Sequence, residues 1–213
     1  MSAPFGPPLG PEGFARLCSV SRETLARLAA YAELLSRWSG HMNLVGRGTL
    51  DDLWRRHFLD SAQLHPLVPA GTRSLIDLGS GAGFPGLVLA ILGVEGVALA
   101  DSDSRKCAFL REAARAVGAK VAIHAGRIED LPPRPFDIVT ARALAPLDRL
   151  LGLAEPFLAP GTRCLFLKGE RAAEELTRAR KGWKMAAAVH SSRSDPRGVI
   201  LELQQVAREP RDF

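Results

Sequence analysis

From Ser21 onward, apolar residues recur at helical spacing. Leu25, Leu28, Ala29, Ala32, Leu35 and Trp38 fall on one face, with Ser21 as the N-cap and Gly40 as the stop. After a loop over 41–48 that contains Asn43, a second helix is predicted from Thr49 to Pro66. Leu50, Leu53, Trp54, His57, Phe58 and Leu64 share its apolar face, and Thr49 with Asp52 forms a capping-box-like pair. Beyond Gly71 the period changes. Short apolar runs at 74–78, 97–100, 120–124, 137–141 and 164–168 read as strands, with helical patterns at 86–92, 104–117 and 147–157 between them. A helix at 172–180 and strands at 185–190 and 199–206 follow, the last two joined by a polar loop with Asp195, Pro196 and Gly198. This alternation predicts an α/β fold with a parallel, helix-covered sheet and an antiparallel pair at one edge. The organisation expected is a flexible lead-in over 1–20, a helical extension over 21–70 and a main domain over 71–207, with a frayed tail from Arg208.

Composition narrows the class. Of 213 residues, 46% are apolar and 24% charged, as in ordinary globular proteins, and the longest apolar run near residue 90 is far short of the ~20 a membrane span needs. Net charge is +5, and only five of the 28 basic residues are lysine. Arginine forks grip phosphates and stack on bases, although charge alone also describes a solvated surface. Cys18, Cys107 and Cys164 are far apart and show neither metal spacing nor a disulfide framework. No metal site, no targeting segment and a cytoplasmic location are expected.

The chemistry starts at Leu75–Gly86, reading L-I-D-L-G-S-G-A-G-F-P-G. A strand ends in the acid Asp77; a loop with Gly79, Gly81, Gly83 and Gly86 then opens a helix, and free N–H groups there attract electron-rich ligand atoms. A dinucleotide fingerprint needs its third glycine at position 84, which is Phe84, so the close helix–strand packing of that fingerprint is not expected. No lysine followed by serine or threonine makes a phosphate-binding P-loop either. The remaining pattern, acid-x-Gly-x-Gly-x-Gly, resembles the first motif of S-adenosylmethionine-dependent methyltransferases.

Asp101 closes the second strand about 20 residues after the loop, where an acid suits a ribose diol; Asp103 is a rival, and either can cap the helix from Ser104. In methyltransferases of this fold the loop after the third strand meets the adenine. By that resemblance Ile128 in G-R-I-E-D-L at 126–131 would cover its face and Glu129 or Asp130 meet its amino group; read alone, E-D is a surface acid pair. Arg142 and Lys168 end the fourth and fifth strands, at the sheet edge where open α/β folds bind ligands. Each reads as a contact to carboxylate or phosphate, or as a structural ion pair. His57 reads as a packed histidine.

Taken in order, W-S-G-H-M-N-L at 38–44, R-H-F-L-D-S at 56–61, D-L-G-S-G-A-G-F-P-G at 77–86, Asp101, R-I-E at 127–129, A-R-A-L-A-P-L at 141–147 and L-K-G at 167–169 resemble one family. It is the bacterial guanine-N7 methyltransferases of small-subunit ribosomal RNA, also called glucose-inhibited division protein B. The resemblance covers roughly 23–203. It implies a Rossmann-like class I S-adenosylmethionine-dependent methyltransferase domain, a mostly parallel seven-stranded sheet and N-terminal helices. It implies S-adenosyl-L-methionine at Gly79, Phe84, Ile128, Glu129 and Arg142, to which the loop and strand-end reading adds Asp77, Gly81, Gly83 and Asp101; Asn43, Arg56 and Lys168 are the candidates for contact with 16S ribosomal RNA. Phe84 is also a position at which a target base could stack. Guanine N7 carries no proton, so catalysis needs positioning and no general base. The competing readings are a methyltransferase for another RNA or a small molecule, a dinucleotide-dependent oxidoreductase, and a non-catalytic RNA-binding module. A monomer is expected.

Overall fold

The computed structural model describes residues 7–210. Five parallel strands, β1 (Leu75–Leu78), β2 (Val97–Asp101), β3 (Val121–Ala125), β4 (Ile138–Arg142) and β5 (Arg163–Lys168), are joined by two antiparallel ones, β6 (Trp183–Ser191) and β7 (Val199–Arg208). They form a seven-stranded sheet in the order β3-β2-β1-β4-β5-β7-β6. The order reverses between β1 and β4, and ligands of open α/β sheets bind outside the carboxyl ends of strands at such a point.

Alternating side chains feed two cores. Leu75, Leu99, Ile138 and Leu165 pack on one face, and Ile76, Ala98, Val139 and Phe166 on the other. Burial on both faces is why the strands read as continuous apolar runs and not as alternating ones. The first face is covered by α4 (Gly86–Ile91) and α5 (Ser104–Ala116), the second by α6 (Leu147–Ala154) and α7 (Ala172–Ala179). Two N-terminal helices, α1 (Pro11–Cys18) and α2 (Arg22–Ser39), add to the first face, α2 lying on α4 and α5. Ser21 caps α2 as expected, its hydroxyl accepting from Thr24 N at 3.1 Å.

Three expectations need correction. The lead-in expected to be flexible over 1–20 contains α1, whose Phe14 is fully buried 5.3 Å from the Trp54 ring. Burying one such side chain is worth roughly 1.5–3 kcal/mol, enough to tie down a short proline-opened helix. Residues 1–6 lie outside the described residues. The tail expected to fray at Arg208 is strand there, and the Arg208 fork pairs with Glu155 at 2.7 Å; 211–213 lie outside the described residues.

The second helix is not one regular helix. A 3-10 stretch (Arg47–Asp52) is followed by a π stretch (Trp54–Leu59), then the single turn α3 (Asp60–Ala62) and a 3-10 turn (His65–Leu67). The capping box does not form. Asp52 instead accepts from Leu9 N at 2.8 Å and pairs with Arg55, and the Thr49 hydroxyl bonds to Gly46 O and to His57. π turns recur at functional sites because the wider turn re-aims side chains. Here Phe58 and Leu59 enter the core, whereas Arg56, His57 and Asp60 reach the sheet edge.

Candidate active site

The carboxyl ends of β1, β4 and β5 open into a cleft of about 790 Å³. One wall is the β1 loop with Gly79, Gly81 and Phe84; a second is the β4 end with Arg142 to Pro146, continuing to Lys168 on β5. The N-terminal segment supplies Leu44 to Gly46, Thr49, Arg56, His57 and Asp60, and the β6–β7 loop supplies Ser192, Ser194 and Asp195.

The loop after β1 turns through positive φ at Gly79, Gly81 and Gly83. Gly86 does a different job. A Cβ there would lie 2.7 Å from the Asp77 Cβ and still closer to Leu99, so the bare α-carbon is what lets α4 approach the sheet. Close helix–strand packing, not expected with Phe84 at its place in the fingerprint, is therefore supplied two residues later.

Asp77 is corrected from a cofactor contact to a structural acid. It is fully buried, its oxygens taken by Gly86 N at 3.0 Å and the Thr140 hydroxyl at 2.9 Å. Burial lifts its pKa to about 6, against the opposing pull of these hydrogen bonds and the Arg142 charge. A folded pKa above the unfolded one gives stability that is complete below pH 3.8 and lost as pH rises to about 6. Asn fits the same partners, accepting from Gly86 N and donating to the Thr140 hydroxyl. Asp77→Asn is therefore expected to gain on the wild type by roughly 1.4 kcal/mol per pH unit between pH 4 and 6. Urea unfolding of both proteins across that range checks this, and parallel curves would contradict it.

Gly83 is also off the cleft wall. A Cβ there would sit 2.7 Å from the hydroxyl oxygen of Tyr31 on α2. That buried hydroxyl donates to the carbonyl of Ala82, so an N-terminal helix holds the loop from behind. Phe84 is 2% exposed, with Tyr31 stacked at 5.3 Å, His57 at 5.0 Å and the Arg142 guanidinium over its ring. Its ring has no open face, which corrects the suggestion that a target base stacks there.

Asp101 ends β2 as expected but braces the loop, accepting from Gly81 N at 2.8 Å and Asp103 N at 2.9 Å. Asp103 is the helix cap, holding Arg105 N at 2.9 Å. Ile128 and Glu129 form a 3-10 turn after β3, on the same sheet edge but away from the cleft wall. Glu129 is exposed and pairs loosely with Arg127 at 3.5 Å. Asn43 is exposed beside Leu44, on a shallow groove next to the cleft.

Three of the basic residues at the cleft, Arg142, Lys168 and Arg56, are held by partners. Arg142 donates to Asp60 Oδ2 at 3.2 Å, to Arg56 O at 3.2 Å and to His57 Nδ1 at 2.9 Å. Lys168, read as an RNA contact, is 9% exposed and tied to Glu175 at 2.8 Å and Ala145 O at 2.7 Å. Glu175 in turn accepts from Leu147 N, so the pair clamps the loop after β4. Arg56 is the more open of the three and pairs with Asp195 on the β6–β7 loop at 2.7 Å. His57 is 6% exposed; burial, then the Arg142 and Arg56 charges, push its pKa down to about 3, so it is neutral at physiological pH. No group of three or more His, Cys, Asp or Glu suited to a metal occurs among the described residues.

The sequence reading missed Tyr31, Gln63, Ser192, Ser194 and Asp195. Asp60 Oδ1 accepts from Ser194 and from Gln63 Nε2, and Gln63 Oε1 accepts from Arg193 N at 2.7 Å. The segment R-H-F-L-D-S thus clasps β4 and the β6–β7 loop together. Only the pairing of Asp60 with partners 82 and 134 residues away reveals this, and no local pattern carries it.

Solved structures with this architecture include ribosomal protein L11 methylase from Lactobacillus delbrueckii subsp. bulgaricus (TM-score 0.55, 18% identity, 70% of this chain and 79% of that one). Another is a glycopeptide N-methyltransferase crystallised with (S)-adenosyl-L-methionine (TM-score 0.59, 13% identity, 70% and 94%). The fold is the Rossmann-like class I S-adenosylmethionine-dependent methyltransferase fold. Curated relatives are much nearer in sequence. Ribosomal RNA small subunit methyltransferase G of Paramagnetospirillum magneticum is 56% identical over 200 residues, covering 94% of this chain and 98% of the relative. The enzyme of the same name from Rhodospirillum centenum is 61% identical over 188 residues, covering 88% and 87%. The family model described as rRNA small subunit methyltransferase G matches residues 24–197. With that match over most of its length, the chain belongs to the GidB family, rRNA small subunit methyltransferase G.

Proposed function

We propose that this protein methylates N7 of a guanine in 16S ribosomal RNA of the small ribosomal subunit, with S-adenosyl-L-methionine as methyl donor. The observation that carries the reading is the glycine-lined cleft at the β1/β4 switch point in a chain with the family's full set of segments. The residues fit the cofactor: among the described residues, chain neighbours aside, the atom nearest a Cβ at Gly81 would be Gly79 O at 4.0 Å, so the loop leaves open space beside its backbone. The nucleoside then lies over the β1–β3 half of the edge, flanked by Gly79, Asp101, Ile128 and Glu129. Arg142 faces the carboxylate end, and the β4–β7 half is left for the acceptor base.

When bound, the cofactor supplies an electrophilic sulfonium methyl. The protein's part is to orient the base so that N7, methyl and sulfur are in line, about 3–3.5 Å apart at attack. No residue takes a proton, because N7 has none, and His57 with both ring nitrogens engaged is no base. The purine becomes cationic, and the carboxylates of Asp60, Glu175 and Asp195 offset the Arg142, Lys168 and Arg56 charges that would otherwise oppose it. Arginines around the mouth suit the RNA backbone. Among the described residues no helix is long and apolar enough to cross a membrane.

Transfer of labelled methyl to purified small subunits, followed by mapping of the modified base, tests this. A single N7-methylguanine in 16S RNA is expected, and an N6 or ribose methyl would refute the mechanism.

A further inference from the structure

We propose that His57 is a positioning residue, the central member of a one-directional hydrogen-bond relay that orients Arg142 and pins the cleft wall at Gly46. The inference rests on Arg142 serving the cofactor as described above. Three contacts make the relay: Arg142 Nη2 to His57 Nδ1 at 2.9 Å, His57 Nε2 to Thr49 Oγ1 at 2.7 Å, and Thr49 Oγ1 to Gly46 O at 2.6 Å. Their direction follows from chemistry. A guanidinium has donors only, so Nδ1 must accept from it. Of the two ring nitrogens of a neutral imidazole, one accepts and one donates, so Nε2 carries the hydrogen and gives it to Thr49. The Thr49 hydroxyl then spends its single hydrogen on the Gly46 carbonyl, which can only accept. Every donor meets an acceptor, and no second arrangement of the three hydrogens satisfies both ends.

This arrangement has a purpose that a carboxylate at position 57 would not serve. Arg142 already pairs with Asp60, and a second anion would leave the cluster net negative where the cofactor carboxylate is to bind. The imidazole fixes the guanidinium without neutralising it, while Phe84 lies 5.0 Å from both the His57 ring and the guanidinium carbon and limits their tilt. The far end of the relay, Gly46, forms the wall with Leu44 and Val45. One side chain therefore sets both a cofactor-facing charge and the opposite wall.

Nitrogen-15 NMR of the histidine rings in the full-length protein tests the direction of the relay without any variant. His57 is expected as the Nε2–H tautomer between pH 6 and 8, and an Nδ1–H tautomer would overturn the proposal. Steady-state kinetics test the role. His57→Leu, which removes both bonds, is expected to raise the KM for S-adenosylmethionine about tenfold with kcat changed less than twofold. His57→Asn, whose side-chain oxygen can still accept from Arg142, is expected to recover most of that loss. Equal KM values for Leu and Asn variants, or a loss confined to kcat, would overturn it. Failure of methyl transfer to ribosomal subunits would instead count against the proposed function, since the tautomer and cofactor binding measured by calorimetry need no RNA.

Discussion

Gly81→Val is expected to weaken S-adenosylmethionine binding at least 100-fold while leaving the fold in place. Gly81 sits at φ +58, where an L residue costs roughly 1–2 kcal/mol, and a β-branched one is a genuine outlier. Its N–H is held by Asp101 at 2.8 Å, so relaxing the strain by turning the peptide would release the acid that braces the loop. Among the described residues, its chain neighbours aside, only Gly79 O comes within about 4.0 Å of the added Cβ, so the bulk enters the ligand's space and not the core. The global fold survives because the cores on both sheet faces do not involve this residue. Calorimetric titration with the cofactor, read beside the thermal midpoint, measures both halves of the expectation. Unchanged affinity would remove the loop from the site.

Asp60→Ala is expected to lose about 3 kcal/mol of stability together with at least tenfold in methyl transfer. The carboxylate is 17% exposed and serves Arg142 through one oxygen and Ser194 and Gln63 through the other. Removing one member of a largely buried pair strands the other charge, which is the costly case. A double-mutant cycle with Arg142→Ala separates the pair from the rest of the network. Coupling well above 0.5 kcal/mol is expected for residues in contact. Independent effects of the two substitutions would mean that Asp60 acts only through the β6–β7 loop.

Much of the architecture could be read from the chain itself. Every strand lies within two residues of its expected run, and for the central strands β1, β2, β4 and β5 the reason is that a strand buried on both faces must be apolar at consecutive positions. The α2 cap at Ser21 and the edge pair around Pro196 were equally local signals. Irregular elements were less legible. The 3-10 and π stretches between Arg47 and Leu59 keep a helical apolar spacing, and they are held by contacts to Leu9, Arg142 and Asp195 elsewhere in the fold. Helix α1 was hidden by its prolines and glycines, since only the partner ring of Trp54 makes its single buried aromatic worth ordering.

The site divides in the same way. Sequence alone pointed to a nucleoside cofactor after β1 and determined that the segments around Asn43, Arg56 and Arg142 mark one methyltransferase family, because backbone conformation and motif spacing are local properties. The tertiary structure decided which charged residues are free to act. It turned Asp77 and Lys168 into struts, covered the ring of Phe84 and joined His57 to Arg142 across 85 positions. A side chain's role depends on which partner meets it and on whether water is excluded there, and both are settled only when distant segments pack together.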